Sequence, residues 1–201
     1  MSEAIQAKCV EIAQGLSDDL AAAITSAPPL QVAANQESPF SQRLCRAVAG
    51  QQLSVKAAAS IWGRVVASAA DRPLMDYLAV ASPESLRRCG LSAAKAKAMG
   101  AIAAAAQTQQ LNQTVLNALD HSERSRQLTQ IWGVGQWTAD MMGIFYFGDP
   151  DIWPDGDTAA RKHLERLTSR RRKTVRTAAR FAPYRSYLAL YMWHQANTPV
   201  V

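Results

Sequence analysis

The chain has 201 residues, of which 48% are hydrophobic, and it carries a net charge of +6. This hydrophobic share excludes a disordered chain, and no run approaches the ~18 consecutive apolar residues of a membrane span. The three cysteines (Cys9, Cys45 and Cys89) lie far apart, so we expect buried or incidental thiols rather than a disulfide framework, a zinc site or an iron–sulfur site. The N-terminus lacks the pattern of a signal peptide, and we expect a reducing compartment.

Helix signals begin at the N-terminus and continue through the first third of the chain. Apolar residues repeat at helical spacing over residues 4–25, and a connector follows over residues 26–38. Ser38 and Pro39 predict a helix start, with Ser38 as the N-cap and Pro39 at the first helical position. Ser54 is the predicted N-cap of the next helix.

The same signals continue to the C-terminus. Ser82 predicts the start of a short helix that ends at Gly90, and Ser92 predicts the start of another that runs to Ala106. Further helices are predicted over residues 121–130, 136–147, 158–167, 173–181 and 184–195. No confident strand pattern occurs, so we expect one all-α domain over residues 1–201, divided into two helical lobes around a central cleft.

A glycine-rich turn joins two of the predicted helices, in the segment Ile131-Trp132-Gly133-Val134-Gly135-Gln136. Gly133 and Gly135 allow a tight turn and a close approach of the backbone to a ligand. Backbone N–H groups there and at the start of the following helix can face an anion such as a DNA phosphate. An ordinary turn between helices is the alternative interpretation.

A candidate carboxylate lies further along, in Ile152-Trp153-Pro154-Asp155-Gly156-Asp157. Asp157 directly precedes a predicted helix, which is typical of an N-cap and keeps a carboxylate ionised. Asp155, two residues earlier, is the rival candidate. We prefer Asp157 because it adjoins the helix, whereas Asp155 is expected to face solvent.

Basic residues are concentrated between Arg161 and Arg185, where Glu165 is the only acid. This run is either a solvated surface or a surface that contacts phosphates. Its members are Arg161, Lys162, Arg166, Arg170, Arg171, Arg172, Lys173, Arg176, Arg180 and Arg185.

Four segments, in this order, resemble the helix-hairpin-helix DNA glycosylases, and most closely the 3-methyladenine DNA glycosylase II group. They are Gly50-Gln51-Gln52-Leu53-Ser54, the hairpin with Thr138-Ala139 behind it, Pro154-x-x-Asp157 with Arg161, and Pro183-Tyr184-Arg185-Ser186. The matches cover residues 38 to 195. The chain is too short for the additional N-terminal β-containing domain of many bacterial members, so the resemblance implies a minimal form.

The resemblance implies that the chain binds damaged double-stranded DNA. The implied contacts are the hairpin residues Gly133, Val134, Gly135, Gln136 and Thr138, together with Gln51, Gln52 and Arg161. Gln52 is the expected wedge that fills the gap of an extruded nucleotide, although a Gln-Gln pair is otherwise an ordinary polar turn. The hairpin of the family also implies Na⁺ or K⁺ on the backbone carbonyls of Thr129, Ile131 and Val134; no other cofactor is expected.

The resemblance also assigns a reaction. Asp157 is the implied catalytic residue, and the position where strand-cutting members carry a Schiff-base lysine is Trp137. No lysine lies between Lys97 and Lys162. The expected activity is therefore hydrolysis of the N-glycosidic bond of alkylated purines, such as 3-methyladenine and 7-methylguanine, without lyase activity at abasic sites.

Aromatic side chains are the candidates for a pocket that stacks on a cationic purine. Trp137 is the first candidate and Trp153 the second, followed by Tyr184 and Trp132, with Tyr187 and Trp193 also considered; helix packing is the alternative role for each. The histidines His121, His163 and His194 are scattered and are expected to cap helices or face solvent.

Two other functions stay open at this stage. One is a non-catalytic helix-hairpin-helix module that binds DNA, and the other is a glycosylase for a deaminated or oxidised base. We expect a monomer without membrane association, in the bacterial cytoplasm or, in a eukaryote, in the nucleus.

Overall fold

In the computed structural model, the described residues are 2–169, 171 and 173–197, and they contain helices and no strand. The α-helices are α1 (Ser2–Gln14), α2 (Asp18–Ser26), α3 (Phe40–Gly50), α4 (Val55–Ser68), α5 (Leu74–Val80), α6 (Pro83–Arg88), α7 (Ala93–Gln107), α8 (Gln113–Ala118), α9 (His121–Leu128), α10 (Gln136–Met142), α11 (Thr158–Leu167), α12 (Thr174–Ala178) and α13 (Arg185–Asn197). A π-helical turn spans Gly143–Phe147, and a 3₁₀ turn spans Ala179–Phe181. The all-α prediction is confirmed. None of the described helices is both long and apolar enough to cross a membrane.

The chain forms two compact units. The terminal unit combines Met1–Asn35 with Gly143–Val201, and the central unit is Gln36–Met142. The division into two helical units follows the sequence-based expectation of two lobes. The assignment of residues 1–201 to one glycosylase domain stays a prediction.

Each unit has its own apolar core. In the terminal unit, α1 packs on α2 and α11 packs on α13, and the fully buried side chains include Leu20, Ile24, Phe181 and Tyr191. In the central unit, α3 packs on α4 and α7, and α5 also packs on α7. Its fully buried side chains include Phe40, Leu44, Met99 and Ile102. Burial of these apolar surfaces, rather than helix propensity, stabilises helices as short as these.

Serine N-caps set three of the four helix starts that the sequence analysis assigned to serine. The side chains of Ser54, Ser82 and Ser92 each accept a hydrogen bond from the backbone N–H three residues later, as predicted. The prediction for α3 was wrong by one residue. Pro39 has ψ 140°, which is not helical, so it occupies the N-cap position and its carbonyl accepts the first helical bond from Arg43 N–H.

Two short helices, α5 and α8, were not predicted from the sequence. They contain seven and six residues, too few for an apolar repeat to stand out. The predicted helix over residues 136–147 is also not uniform. It changes at Gly143 to a π-helical turn, a form that recurs at functional sites.

Candidate active site and nucleic-acid interface

Asp157 lies at the N-cap of α11 in the terminal unit. Its Oδ1 accepts a hydrogen bond from Ala160 N–H at 2.8 Å, so the predicted capping role is confirmed. The same oxygen accepts a second bond, from the indole Nε1–H of Trp193 at 2.9 Å. Two N–H donors and the helix N-terminus favour the ionised form of the carboxylate.

The π-helical turn contributes an aromatic ring that packs against the Trp193 indole. Phe145 stacks on Trp193, with ring centroids 5.6 Å apart and an interplanar angle of 30°. The turn thus fixes the ring that donates to Asp157. Aromatic surface and an anionic oxygen therefore lie side by side, a combination that suits a flat, positively charged ligand.

The loop that carries the carboxylate is held by the first turn of α13. Ser186 Oγ donates to the Asp149 carbonyl at 2.7 Å and accepts from Ile152 N–H at 2.9 Å. Arg185 forms a bidentate ion pair with Asp151, at 2.7 and 2.9 Å. The Arg185 guanidinium holds the pKa of the Asp151 carboxyl below its usual value. These contacts give a physical role to the Arg-Ser pair that the resemblance singled out.

Asp155, the rival carboxylate, has a different environment. It is exposed, as predicted, and its Oδ1 accepts a hydrogen bond from Thr174 Oγ1 at 3.1 Å. Thr174 begins α12, so Asp155 links the loop to that helix. No aromatic side chain contributes to this contact.

The hairpin of the central unit lies between α9 and α10, and its two glycines differ. Gly133 has φ +87°, and a Cβ there would stand 2.5 Å from the Ala98 Cβ, so the fold itself requires this glycine. At Gly135, no described residue beyond its chain neighbours lies within 4 Å of the position a Cβ would occupy. The open side of Gly135 is therefore the position where a ligand can approach the backbone.

The other hairpin residues are largely committed to the turn. Val134 is 4% exposed, and its N–H donates to the Ile131 carbonyl at 3.0 Å. The Gln136 side chain donates to Ser125 Oγ and to Asp140 Oδ1. The Val134 side chain is thus buried in this conformation, and the amide nitrogen of the exposed Gln136 side chain already donates to two partners in the same unit.

Asp140 is the centre of a polar network that the sequence did not reveal. It is 4% exposed and accepts from Gln136 Nε2 at 2.7 Å, while His121 Nε2 lies 3.0 Å from the same oxygen. The expectation that His121 caps a helix or faces solvent was wrong, because this buried carboxylate is its partner. The network ties the start of α9 to the start of α10.

Gln51 and Gln52 follow α3 and have different roles. Gln51 Nε2 donates to Thr138 Oγ1 at 2.9 Å, whereas Gln52 is exposed with φ +58°. Thr138 is 1% exposed, so its predicted contact with DNA cannot involve the side chain; its hydroxyl instead connects the hairpin helix to Gln51. Lys95 Nζ donates to the carbonyls of Ala49 and Gln51, which fixes the turn that presents Gln52.

The predicted pocket aromatics lie in different settings. In the central unit, Trp132 is 45% exposed with Lys97 Nζ 4.3 Å from its ring centroid, and Trp137 is half-buried. In the terminal unit, Tyr184 is half-buried and Trp153 is 8% exposed within the core. Of the aromatics named from the sequence, Trp193 contacts Asp157 through its indole Nε1–H.

Several of these partners could not be recognised from the sequence. Trp193 was one of six aromatic candidates, and its separation from Asp157 by 36 residues follows no helical period. No cluster of three His, Cys, Asp or Glu side chains suited to a metal ion occurs in the described residues.

The fold and these two sites define a class of protein. Residues 45–182 match the family described as HhH-GPD superfamily base excision DNA repair protein. The chain belongs to this family.

Individual proteins and solved structures of this family are also similar to the chain. The chain is 32% identical over 204 residues to the "Probable bifunctional transcriptional activator/DNA repair enzyme AlkA" of Mycobacterium tuberculosis, covering 94% of this chain but only 39% of the relative. It is 31% identical to DNA-3-methyladenine glycosylase 1 of Schizosaccharomyces pombe, over 79% of this chain and 72% of that protein. The solved structure of the S. pombe 3-methyladenine DNA glycosylase Mag1 in complex with abasic DNA matches with a TM-score of 0.78 and 27% identity, covering 95% of this chain and 97% of that one.

Proposed function

We propose that this protein is a monofunctional DNA glycosylase that releases alkylated purines, such as 3-methyladenine and 7-methylguanine, from duplex DNA. The observation that carries the proposal is the Asp157 carboxylate, held by Ala160 N–H and the Trp193 indole beside an aromatic stack. The relatives named as 3-methyladenine glycosylases, and the Mag1 complex with abasic DNA, support the substrate class.

In the proposed reaction, the damaged nucleotide leaves the base stack, and the bond between the base nitrogen and the sugar C1′ breaks. The electron pair of that bond leaves with the base, which is already cationic and needs no proton. Asp157 stabilises the positive charge that develops on the sugar. It also orients a water that forms the new C–O bond at C1′, and the proton of that water passes to the carboxylate or to solvent.

The chemistry ends at the abasic site. A lyase step needs an amine that forms a Schiff base with C1′, and Trp137 stands at the position where that lysine would be expected. The sequence between Lys97 and Lys162 contains no lysine. We therefore propose base release without strand cleavage.

The proposed DNA contacts are the hairpin backbone around Gly135, the exposed Gln52 as the wedge, and Arg161. The carbonyls of Thr129, Ile131 and Val134 are neutral oxygen donors, which suit Na⁺ or K⁺, and the bond from Val134 N–H to the Ile131 carbonyl holds this turn closed. A cation bound there would attract a DNA phosphate to the hairpin by offsetting its negative charge. Replacing K⁺ by tetramethylammonium should then weaken DNA binding; unchanged binding contradicts the cation proposal.

The protein is further proposed to act as a monomer, in the compartment that holds the DNA, which is the cytoplasm of a bacterium or the nucleus of a eukaryote. Sedimentation at micromolar concentration tests the first statement, and a dimer contradicts it.

The direct test is incubation with methylated duplex DNA, followed by separate assays for free bases and for strand breaks. We expect release of 3-methyladenine and 7-methylguanine, with strand breaks only after alkaline treatment. Binding without release of either base would instead favour another lesion or a non-catalytic DNA-binding module. Breaks that form without alkali would contradict the monofunctional assignment.

A further inference from the structure

A basic surface lies on the terminal unit, formed by Arg161, Arg171, Lys173 and Arg176. All four side chains are exposed. They line two adjoining cavities of about 310 and 480 Å³, which share Arg171 and Lys173. The predicted basic run also includes Arg170 and Arg172, which lie outside the described residues.

The charge of this surface is positive after its own acids are counted. Asp155 and Glu165 line the smaller cavity together with three of the four cations, Arg161, Arg171 and Lys173. Glu165 lies 4.0 Å from Arg161, an exposed pair that contributes little. Within the described part of the chain, no carboxylate forms an ion pair with Arg171, Lys173 or Arg176. Three cations thus remain available to an anionic partner.

The basic surface is joined directly to the loop of the candidate active site. Thr174, between Lys173 and Arg176, is 5% exposed and donates to Asp155 at 3.1 Å. Asp155 precedes Asp157 by two residues. An anion bound to the basic surface would therefore contact the same local structure that holds the candidate catalytic carboxylate.

The residues that line the cavities indicate which kind of anion the basic surface would bind. No aromatic ring lines either cavity, so the base of a free nucleotide would have nothing to stack on. The cations are exposed on long side chains and spread over several residues, rather than gathered around one buried point. This arrangement suits the repeated, hydrated charges of a phosphodiester chain.

We propose that the basic surface binds the backbone phosphates of the strand that carries the damaged base, as a second attachment to DNA besides the hairpin. This inference rests on the proposed function, because the loop it adjoins is assigned there to catalysis. The attachment carries no sequence information and sets the position of the strand relative to Asp157.

The first test is the salt dependence of binding to an undamaged duplex. Arg171→Gln with Lys173→Gln removes two charges, and Arg87→Gln with Arg88→Gln removes two exposed charges from α6 as a matched control. The plot of log K against log salt has a negative slope. In the first variant this slope should become shallower by about 1.8, because each lost phosphate contact contributes roughly 0.9. The control should keep the wild-type slope. Equal slopes for all three proteins overturn the proposal.

A second variant has the opposite expected sign, which separates a charge effect from misfolding. Asp155→Asn removes a negative charge from the basic surface, and the amide oxygen can still accept from Thr174. DNA should bind roughly threefold more tightly, in line with about 0.7 kcal/mol for a partly screened charge near the surface. Unchanged or weaker binding in this variant contradicts the proposal.

A third measurement places the contact on the DNA. A neutral methylphosphonate is introduced at single phosphates flanking a stable abasic analogue, and affinities are combined in double-mutant cycles with the Arg171/Lys173 variant. We expect coupling at one or two phosphates of the lesion strand. Coupling only on the opposite strand, or none, contradicts the assignment. Loss of binding to anionic phosphatidylserine vesicles, with DNA binding unaltered, would assign the surface to lipid and also overturn it.

These tests separate the two proposals. If the wild-type chain releases no methylated base, while the salt slope of the variant is shallower by about 1.8 (two contacts at ~0.9 each), the alkylated-purine activity is refuted and the DNA attachment surface stands. Base release with unchanged slopes would refute the basic surface alone.

Discussion

Asp157 and Trp193 show how one side chain can prepare another for chemistry. One oxygen of the Asp157 carboxylate accepts hydrogen bonds from the Trp193 indole N–H and from the Ala160 backbone N–H. Trp193 therefore acts as a positioning residue, whatever contact its ring makes with a bound base.

Replacing Trp193 by Phe removes the indole N–H and keeps a ring to stack on Phe145. A hydrogen bond to a charged group contributes about 1.5–3 kcal/mol, so kcat for base release should fall by about tenfold or more. The KM for methylated DNA should change little. Single-turnover assays at saturating enzyme provide the measurement.

The control for this prediction is a double-mutant cycle with Asp157→Asn. If Trp193 acts through the carboxylate, the tryptophan substitution should have almost no further effect in the Asp157→Asn background. Independent, additive losses would show that Trp193 works in another way, for example by stacking on the base.

At this scale the sequence predicted the carboxylate but not its partners. Asp157 was recognisable because it adjoins a helix start and lies in a segment, Pro154-x-x-Asp157, that resembles a known family. Asp140 and His121 were not, since their contact depends on the packing of α9 against α10. Thr138 was assigned to DNA because its burial could not be read from the sequence.

Among the structural elements, the hairpin contains two glycines with different roles, one required by the fold and one proposed for binding. Gly133 is required by its positive φ and by the Ala98 side chain against it. Gly135 faces open space. A sequence alone shows two glycines in one turn and does not distinguish these requirements.

Substitutions at these two glycines should therefore affect different properties, stability at Gly133 and DNA binding at Gly135. Gly133→Ala should reduce the free energy of unfolding by about 2 kcal/mol or more, because of backbone strain and the clash with Ala98. Gly135→Val should keep most of the stability and weaken DNA binding broadly across sequences. Thermal unfolding and fluorescence anisotropy measure the two effects. Wild-type DNA affinity in the Gly135→Val protein would contradict the assignment of the hairpin to DNA binding.

Helix boundaries follow the same division between local and tertiary causes. Serine caps predicted the starts of α4, α6 and α7, because their hydrogen bonds are local. At Gly143–Phe147 the sequence predicts ordinary helix, whereas the structure has a π-helical turn, because an apolar segment carries no sign of the wider hydrogen-bond pattern.

Across the whole molecule, both chain ends contribute to the terminal unit, and the central unit is a single continuous segment. The all-α class was predictable because caps and helical spacing recur along the chain. The joining of residues 1–35 to the C-terminal part was not, because contacts of this sequence separation leave no periodic signal.

The cores of the two units also bury thiols. Cys9 and Cys45 are fully buried, and burial raises the pKa of each from near 9 to about 12. In a Cys89→Ser chain, Ellman's reagent should label no thiol of the folded protein at pH 7 and both thiols after unfolding. Labelling of the folded chain at either cysteine would contradict this.

The same thiols predict a dependence of stability on alkaline pH. The native state favours the neutral thiol more than the unfolded state does, so this contribution is fully present below pH 9. It should be lost progressively as the pH rises from about 9 towards 12. Chemical unfolding over that range, compared with a Cys9→Ala variant, measures it; a variant with the same alkaline slope as the wild type would rule out Cys9 as a cause.

The measurement that tests the central claim most directly compares Asp157→Asn with Asp155→Asn in release of 3-methyladenine from alkylated duplex DNA. Asparagine can still cap α11, so both variants should fold. We predict that Asp157→Asn binds DNA and releases almost no base, while Asp155→Asn retains release. Wild-type release by Asp157→Asn, with loss in Asp155→Asn, would contradict the account and assign the catalytic carboxylate to Asp155.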